Sequence, residues 1–145
     1  ISGSASVGIR TVTRNAQGQL IGPPSAEVFG TITLTNINDN APNTPVLASW
    51  GSTSIAENVA AGGLVIATFN PPTDPDGALN LVSLYLHGTD HDRFEIVNNQ
   101  LRVRPGITFD ADSATGGAAS YVLQVRAGDG TNGSSPFNVT FTVGN

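Results

Sequence analysis

Residues 121–143 read YVLQVRAGDGTNGSSPFNVTFTV. Two runs in this stretch alternate strictly. Tyr121, Leu123, Val125 and Ala127 take every second position, with Val122, Gln124 and Arg126 between them. Phe137, Val139, Phe141 and Val143 do the same, with Asn138, Thr140 and Thr142 between them. Successive side chains of a strand point to opposite faces, so a period of two marks a half-buried strand. The segment between the runs, rich in Gly, Ser, Asn and Asp, reads as turn.

Working outward, further strand candidates cover residues 9–14, 28–35, 45–49, 64–69, 81–87, 93–97 and 101–104. Turn residues separate most of them, in RNAQGQ, NPPTDPDG and the NNQ tip. No amphipathic helix is found, because glycine and serine break up ENVAAGG and DADSATGGAAS. Many short strands with turn-rich connections imply an all-β sandwich or barrel. Residues 43–145 hold about seven candidates, enough for a complete sandwich. Residues 1–35 hold only two or three, and are read as the terminal strands of a preceding module or as an extra hairpin. Residues 36–42 read as a linker, since polar side chains there hold turns or metal but cannot fill a core.

The chain has 145 residues, 39% of them apolar, so a real core is within reach. It carries 11 acidic and 6 basic residues, all six arginine, for a net charge of -5. That balance excludes a phosphate-tracking surface, so no nucleic acid is expected as partner. Cysteine is absent, which removes disulfides and thiol chemistry. No run approaches the roughly 18 apolar residues that span a bilayer, so no membrane insertion is expected. No signal peptide is visible; the chain begins at Ile1 and ends in a strand-like run, as expected of a mature or excised piece.

Oxygen-bearing side chains concentrate in three places: Asn36, Asn38, Asp39 and Asn40; Asp74 and Asp76 in TDPDG; and Asp110 and Asp112 in FDAD, with Asp129 in the later AGDG. Glu57 stands near the start of the main module. Calcium takes roughly six to eight oxygens, most often from loops, and an Asp-x-Asp pair converges when the backbone turns between its members. Pro75 favours such a turn and Gly77 tolerates conformations that other residues resist. Each cluster alone is also an ordinary surface turn, so their combination and order carry the reading. The twelve-residue EF-hand pattern does not fit after Asp74, Asp76 and Gly77.

The order of these clusters resembles the cadherin repeat. NINDNAP at 36–42 is similar to that family's linker signature D-x-N-D-N-A-P, with Asn36 in place of the first aspartate. VIATFNPPTDPDGALN resembles the segment carrying the family's D-x-D pair and later asparagine, here Asp74, Asp76 and Asn80, with a small insertion after Thr68. RFEIVNNQLRV resembles its F-x-I hairpin, FDAD its L-D-x-E motif, and YVLQVRAGDG its Y-x-L-x-V-x-A-x-D-G strand. The resemblance spans about residues 26–143. It implies a Greek-key, immunoglobulin-like β-sandwich of about seven strands and Ca2+ as the bound ion. At the junction before the main module it implies ligands from Asn38, Asp39, Asn40, Asp74, Asp76, Asn80 and Asp129. Glu57, Asp110 and Asp112 would serve the next junction. It further implies an extracellular or cell-surface location and adjacent repeats of the same protein as partners, with homophilic contacts or an extracellular polysaccharide beyond them. The lysine-free, glycine-rich composition looks more like bacterial cadherin-like modules than animal ones.

Other features carry less. His87 and His91, with Asp90 and Asp92, are expected in a solvated loop rather than around zinc. Asn132 and Asn138 begin N-x-S/T patterns. Trp50 is expected in the core or at a module boundary. No residue set points to a reaction, so no enzyme activity is expected. The leading expectation is a calcium-stiffened structural or adhesive module. The alternative is a carbohydrate-binding accessory module of a secreted polysaccharide-active enzyme, which a row of exposed aromatics would favour; most aromatics here fit alternating core positions.

Overall fold

The structure, a computed structural model, describes residues 3–35, 37–77, 81–112 and 117–145. The chain divides into two units, Ile1–Ile37 and Asn38–Asn145.

In the first unit, β1 (Gly3–Ile9) pairs antiparallel with β2 (Val28–Leu34), Gly3 opposite Leu34 and Ile9 opposite Val28. Backbone hydrogen bonds continue past the strands, from Ser25 to Thr11, Ile21 to Thr13 and Asn15 to Gln19, and close at a tip around residues 15–18. The strand expected at 9–14 therefore lies earlier, and Arg14 makes only an isolated bridge with Leu20. Gly and Ser dominate residues 3–8 and hide the strand signal; the β-branched partner Val28–Leu34 supplies it across the ladder. Cross-strand pairing puts Ala5, Val7 and Ile9 on one face with Val28, Ile32 and Leu34. Every residue of both strands is exposed.

The second unit contains β3 (Leu47–Trp50), β4 (Ser54–Ala56), β5 (Val65–Phe69), β6 (Ser83–His87), β7 (Phe94–Val97), β8 (Gln100–Val103), β9 (Ser120–Gly128) and β10 (Phe137–Gly144). They form two four-stranded sheets, in the orders β3-β5-β8-β7 and β4-β10-β9-β6. The alternation in residues 121–143 has its cause here. Tyr121, Leu123, Val125, Val139, Phe141 and Val143 face inward and meet Ile66, Phe69, Phe94, Leu101 and Val103 of the other sheet in one buried cluster. The result is a two-sheet β-sandwich. Its centre is aromatic: the Phe94 ring lies 5.7 Å from Phe109 and 5.8 Å from Phe141, and Phe109 lies 5.2 Å from Tyr121. The two-residue turn between β7 and β8 uses Asn98 and Asn99, both at positive φ, as a right-twisted hairpin requires.

Periodicity did not mark β4. Its three residues pair parallel with the end of β10, Ile55 opposite Val143. The chain thus leaves one sheet after β3 and joins the other at β4, crossing through residues 51–53. Gly51 donates its N–H to the Ile66 carbonyl at 2.8 Å, and a Cβ there would lie 2.2 Å from the Val65 oxygen. Only a residue without a side chain passes this close to β5. Gly51→Ala is expected to cost about 1–3 kcal/mol in urea unfolding. Gly30→Ala, whose Cβ meets nothing within 4 Å, serves as the control. An unchanged midpoint for Gly51→Ala would sink the argument.

Candidate metal centre

Three separate segments bring oxygens together at one end of the sandwich. Asn38 to Asn40 precede β3, Asp74 and Asp76 lie between β5 and β6, and Asp129 follows β9 directly. DPDG folds as a tight turn in which Gly77 donates its N–H to the Asp74 carbonyl at 3.1 Å. Pro75 presets the first central position and Gly77 takes φ +89°. The Asp76 N–H donates to Asp74 Oδ1 at 2.7 Å, which fixes the first carboxylate over the turn.

Asp76 binds the linker. Its Oδ2 accepts the N–H groups of Asp39 and Asn40 at 3.1 and 2.8 Å, and its Oδ1 accepts Asn40 Nδ2 at 2.5 Å. Asn40 Nδ2 also donates to Asp39 Oδ1 at 2.9 Å. The Asn40 side-chain amide, followed by its backbone N–H, holds the Asp76 carboxyl below the ordinary carboxylate value. Asp129 is held the same way, first by the Asn132 backbone N–H, with further help from Thr131 and the Asn38 amide. Asp129 Oδ1 accepts those two backbone N–H groups at 2.6 and 2.7 Å. Both carboxylates are therefore charged throughout the neutral and mildly acidic range.

Three acceptors in this group are buried and, among the described residues, receive no hydrogen bond: Asn38 Oδ1, Asp74 Oδ2 and Asp129 Oδ2. A buried acceptor without a donor costs on the order of 1–3 kcal/mol. Two of these three oxygens are on carboxylates, whose charge a cation would offset; three acidic side chains within 4.8 Å of one another occur, among the described residues, only at Glu57, Asp110 and Asp112.

Asn132 belongs to this centre although neither motif nor composition singled it out as a ligand-loop residue. Its Nδ2 donates to the Asn40 carbonyl at 3.2 Å and its N–H caps Asp129. Its place three residues after Asp129 in a DGTN turn is the signal that would have found it. Ser134 closes the same loop from below: buried, it accepts the Ala127 N–H at 2.9 Å. Asn80 lies outside the described residues.

Glu57, Asp110 and Asp112 form a second group, each offering a carboxylate oxygen within 4.8 Å of the others, close enough to chelate a divalent ion. Glu57 is placed by β4, where its N–H donates to the Gly144 carbonyl at 2.8 Å. Glu57 Oε2 accepts the Ala111 N–H at 3.2 Å, and Asp110 Oδ1 accepts the Asp112 N–H at 2.8 Å. This group sits beside the start of β9 and the end of β10, whereas Asp129 sits at the end of β9. The two acidic groups thus occupy opposite ends of the sandwich, a strand length of roughly 25 Å apart.

The remaining candidates are simpler. His87 is exposed, and His91 Nδ1 lies 2.9 Å from the Gly88 carbonyl, in a solvated turn. Trp50 does not enter the core: 52% of its surface stays exposed, because β3 ends there at the sheet edge. Among the described residues no helix is long and apolar enough to cross a membrane.

No protein-family model matches the chain, and no curated protein matches it. Among solved structures, it is similar to the crystal structure of chicken VE-cadherin EC1-2, with 16% identity, 99% of this chain and 84% of that one covered, and a TM-score of 0.41. It is also similar to protocadherin gamma B2 extracellular cadherin domains 1–5, with 17% identity, 98% of this chain covered and a TM-score of 0.41; it spans 32% of that protein. At these values the chemistry of the site rests on its own residues.

Proposed function

We propose that this chain is a calcium-binding, cadherin-like structural or adhesive module of a multi-repeat extracellular or cell-surface protein. The observation that carries the proposal is the set of buried oxygens on Asn38, Asp74 and Asp129 that have no hydrogen-bond partner among the described residues, drawn from three segments where the linker meets the sandwich. An all-oxygen donor set with several carboxylates suits calcium, and the centre holds no sulfur or imidazole to favour zinc. Asn38, Asp74 and Asp129 supply side-chain oxygens, Asp76 and Asp39 add carboxylates, and Asn40 and Asn80 add carbonyls. The bound ion supplies charge neutralisation and cross-links linker to sandwich. Glu57, Asp110 and Asp112 prepare the opposite end for the next module. In this reading residues 1–35 are closing strands of a preceding module, 36–42 the calcium-binding linker, and 43–145 a seven-stranded Greek-key domain whose first strand is broken in two. The partners are adjacent repeats, and the work is that of a spacer rather than a catalyst.

Thermal unfolding in excess EDTA, in millimolar calcium and in magnesium tests this. A ligand present at a hundred times its Kd and bound only by the folded state adds about 2.7 kcal/mol. For a domain of this size each kcal/mol moves Tm by about 4–8 °C. A calcium-specific rise of roughly 10–20 °C is expected. Equal Tm values in calcium and EDTA would remove the proposal.

A further inference from the structure

The outer face of the β4-β10-β9-β6 sheet carries side chains for which a metal site has no use. Trp50 opens onto a cleft of about 580 Å³ that it lines with Thr53, Asn138 and Thr140. The indole is not loose. Its ring lies 6.2 Å from Phe137, which in turn packs edge-on against buried Phe69 at 5.4 Å. One side of the tryptophan is thus anchored to the core, and over half of its surface remains in water. Thr53 is anchored as well, its carbonyl accepting the Thr142 N–H at 2.9 Å.

From this cleft a row of polar side chains runs across the sheet. Asn138 on β10 stands opposite Gln124 on β9, and Gln124 stands opposite His87 on β6. Directly opposed residues share a face, and neighbouring strands lie about 4.8 Å apart. Gln124 is orientated by Arg126, whose Nη2 donates to its Oε1 at 3.3 Å. The row therefore reads as an aromatic plate followed by evenly spaced amide and imidazole groups, with Val122 and Tyr85 exposed on the same face beside it.

The chemistry selects the ligand. An exposed, core-backed indole offers a flat apolar face, which matches the C–H face of a pyranose ring. Uncharged amides and hydroxyls beside it match sugar hydroxyls, donor for acceptor. None of the four cleft residues is charged, and the cation beside the row, Arg126, is turned onto Gln124. A protein partner would need a wider apolar centre than Trp50 and Val122, which stands opposite Thr140 on the same face, provide.

We propose that the Trp50 cleft and the row Asn138, Gln124 and His87 bind a neutral linear oligosaccharide, with Trp50 stacking on one sugar ring and the row hydrogen-bonding the hydroxyls of the next. This site is separate from the calcium reading and stands or falls without it.

Trp50 is the single tryptophan of the chain, so its fluorescence reports this site alone. The whole chain is titrated with cellohexaose, xylohexaose, mannohexaose, laminarihexaose and N-acetylchitohexaose, in calcium and again in EDTA. At least one is expected to give a saturable emission change, in both media. By calorimetry Trp50→Ala is expected to lose binding of that sugar, and Asn138→Ala to weaken it roughly tenfold. Asn138→Ala should keep the parent Tm, and Trp50→Ala, which loses the Phe137 contact, should lower it by a few degrees while staying folded; if Trp50→Ala does not fold, Trp50→Phe and Gln124→Ala, each expected to weaken binding, replace it. No saturable change with any of these sugars overturns the proposal. So does undiminished binding by the folded Trp50 and Asn138 variants, or preference for an oligogalacturonate over every neutral chain.

Discussion

Replacing Asp74 and Asp76 together by alanine is expected to abolish the calcium-specific rise in Tm, leaving the curves in calcium and EDTA superimposed. The two carboxylates come from one turn, and the fold has spent local order on placing them: the Asp76 N–H caps Asp74, and Gly77 closes the turn behind. Removing both takes away two charges and one of the three sealed oxygens. The double variant should also melt slightly lower than the parent in EDTA. Asp76 accepts three N–H groups from Asp39 and Asn40, and these return to water when it is lost. Asp129→Asn separates charge from scaffolding. An amide oxygen at Oδ1 still accepts the Thr131 and Asn132 N–H groups, so the EDTA curve should hold while calcium affinity falls. Retention of the full calcium shift by the double variant would place the ion elsewhere, with the Glu57, Asp110 and Asp112 group the next to remove.

The second large effect lies in the core. Phe94→Ala is expected to cost about 3–5 kcal/mol. Phe94 is fully buried, and its ring touches Phe109, Tyr121 and Phe141. It is the point where the β7 edge of one sheet reaches the β9-β10 pair of the other. Truncation leaves a cavity walled by rigid rings, which collapse poorly around it. Domains of this class have about 5–15 kcal/mol in total, so a fall in Tm of roughly 15–30 °C follows. Val122→Ala, on the outer face of β9 and 57% exposed, is expected to change stability by less than about 0.5 kcal/mol. Similar urea midpoints for the two variants would mean that the inward face of β7 and the outward face of β9 are misassigned.

The Trp50 cleft bears on what a module of this kind does. A calcium-stiffened spacer needs ends; it does not need a decorated face. The acidic groups sit at the two ends of the sandwich, while Trp50, Asn138, Gln124 and His87 lie across one sheet between them. In the proposed reading this division leaves the sheet face available for recognition without disturbing the junctions.

What the sequence by itself determined is local. The alternation at Tyr121 to Val143 makes strands whichever partners they find, because side-chain direction depends only on the backbone repeat. DPDG, FDAD and the Asn-Asn tip likewise make their turns from their own proline, glycine and Asx side chains. The same locality concealed β1, whose Gly and Ser carry little strand preference, and β4, too short to show a period. Only the tertiary structure decided which strands share a sheet, that the chain crosses sheets at Gly51, and that Trp50 stays outside the core. It alone decided which oxygens are sealed. Asn132 meets the Asn40 carbonyl across 92 residues of sequence, and whether an acceptor is left without water or donor depends on every atom packed around it. Strand-forming preference is carried by a few neighbours in the chain. A binding site is a property of distant segments brought to one place, and packing between the two sheets is what brings them there.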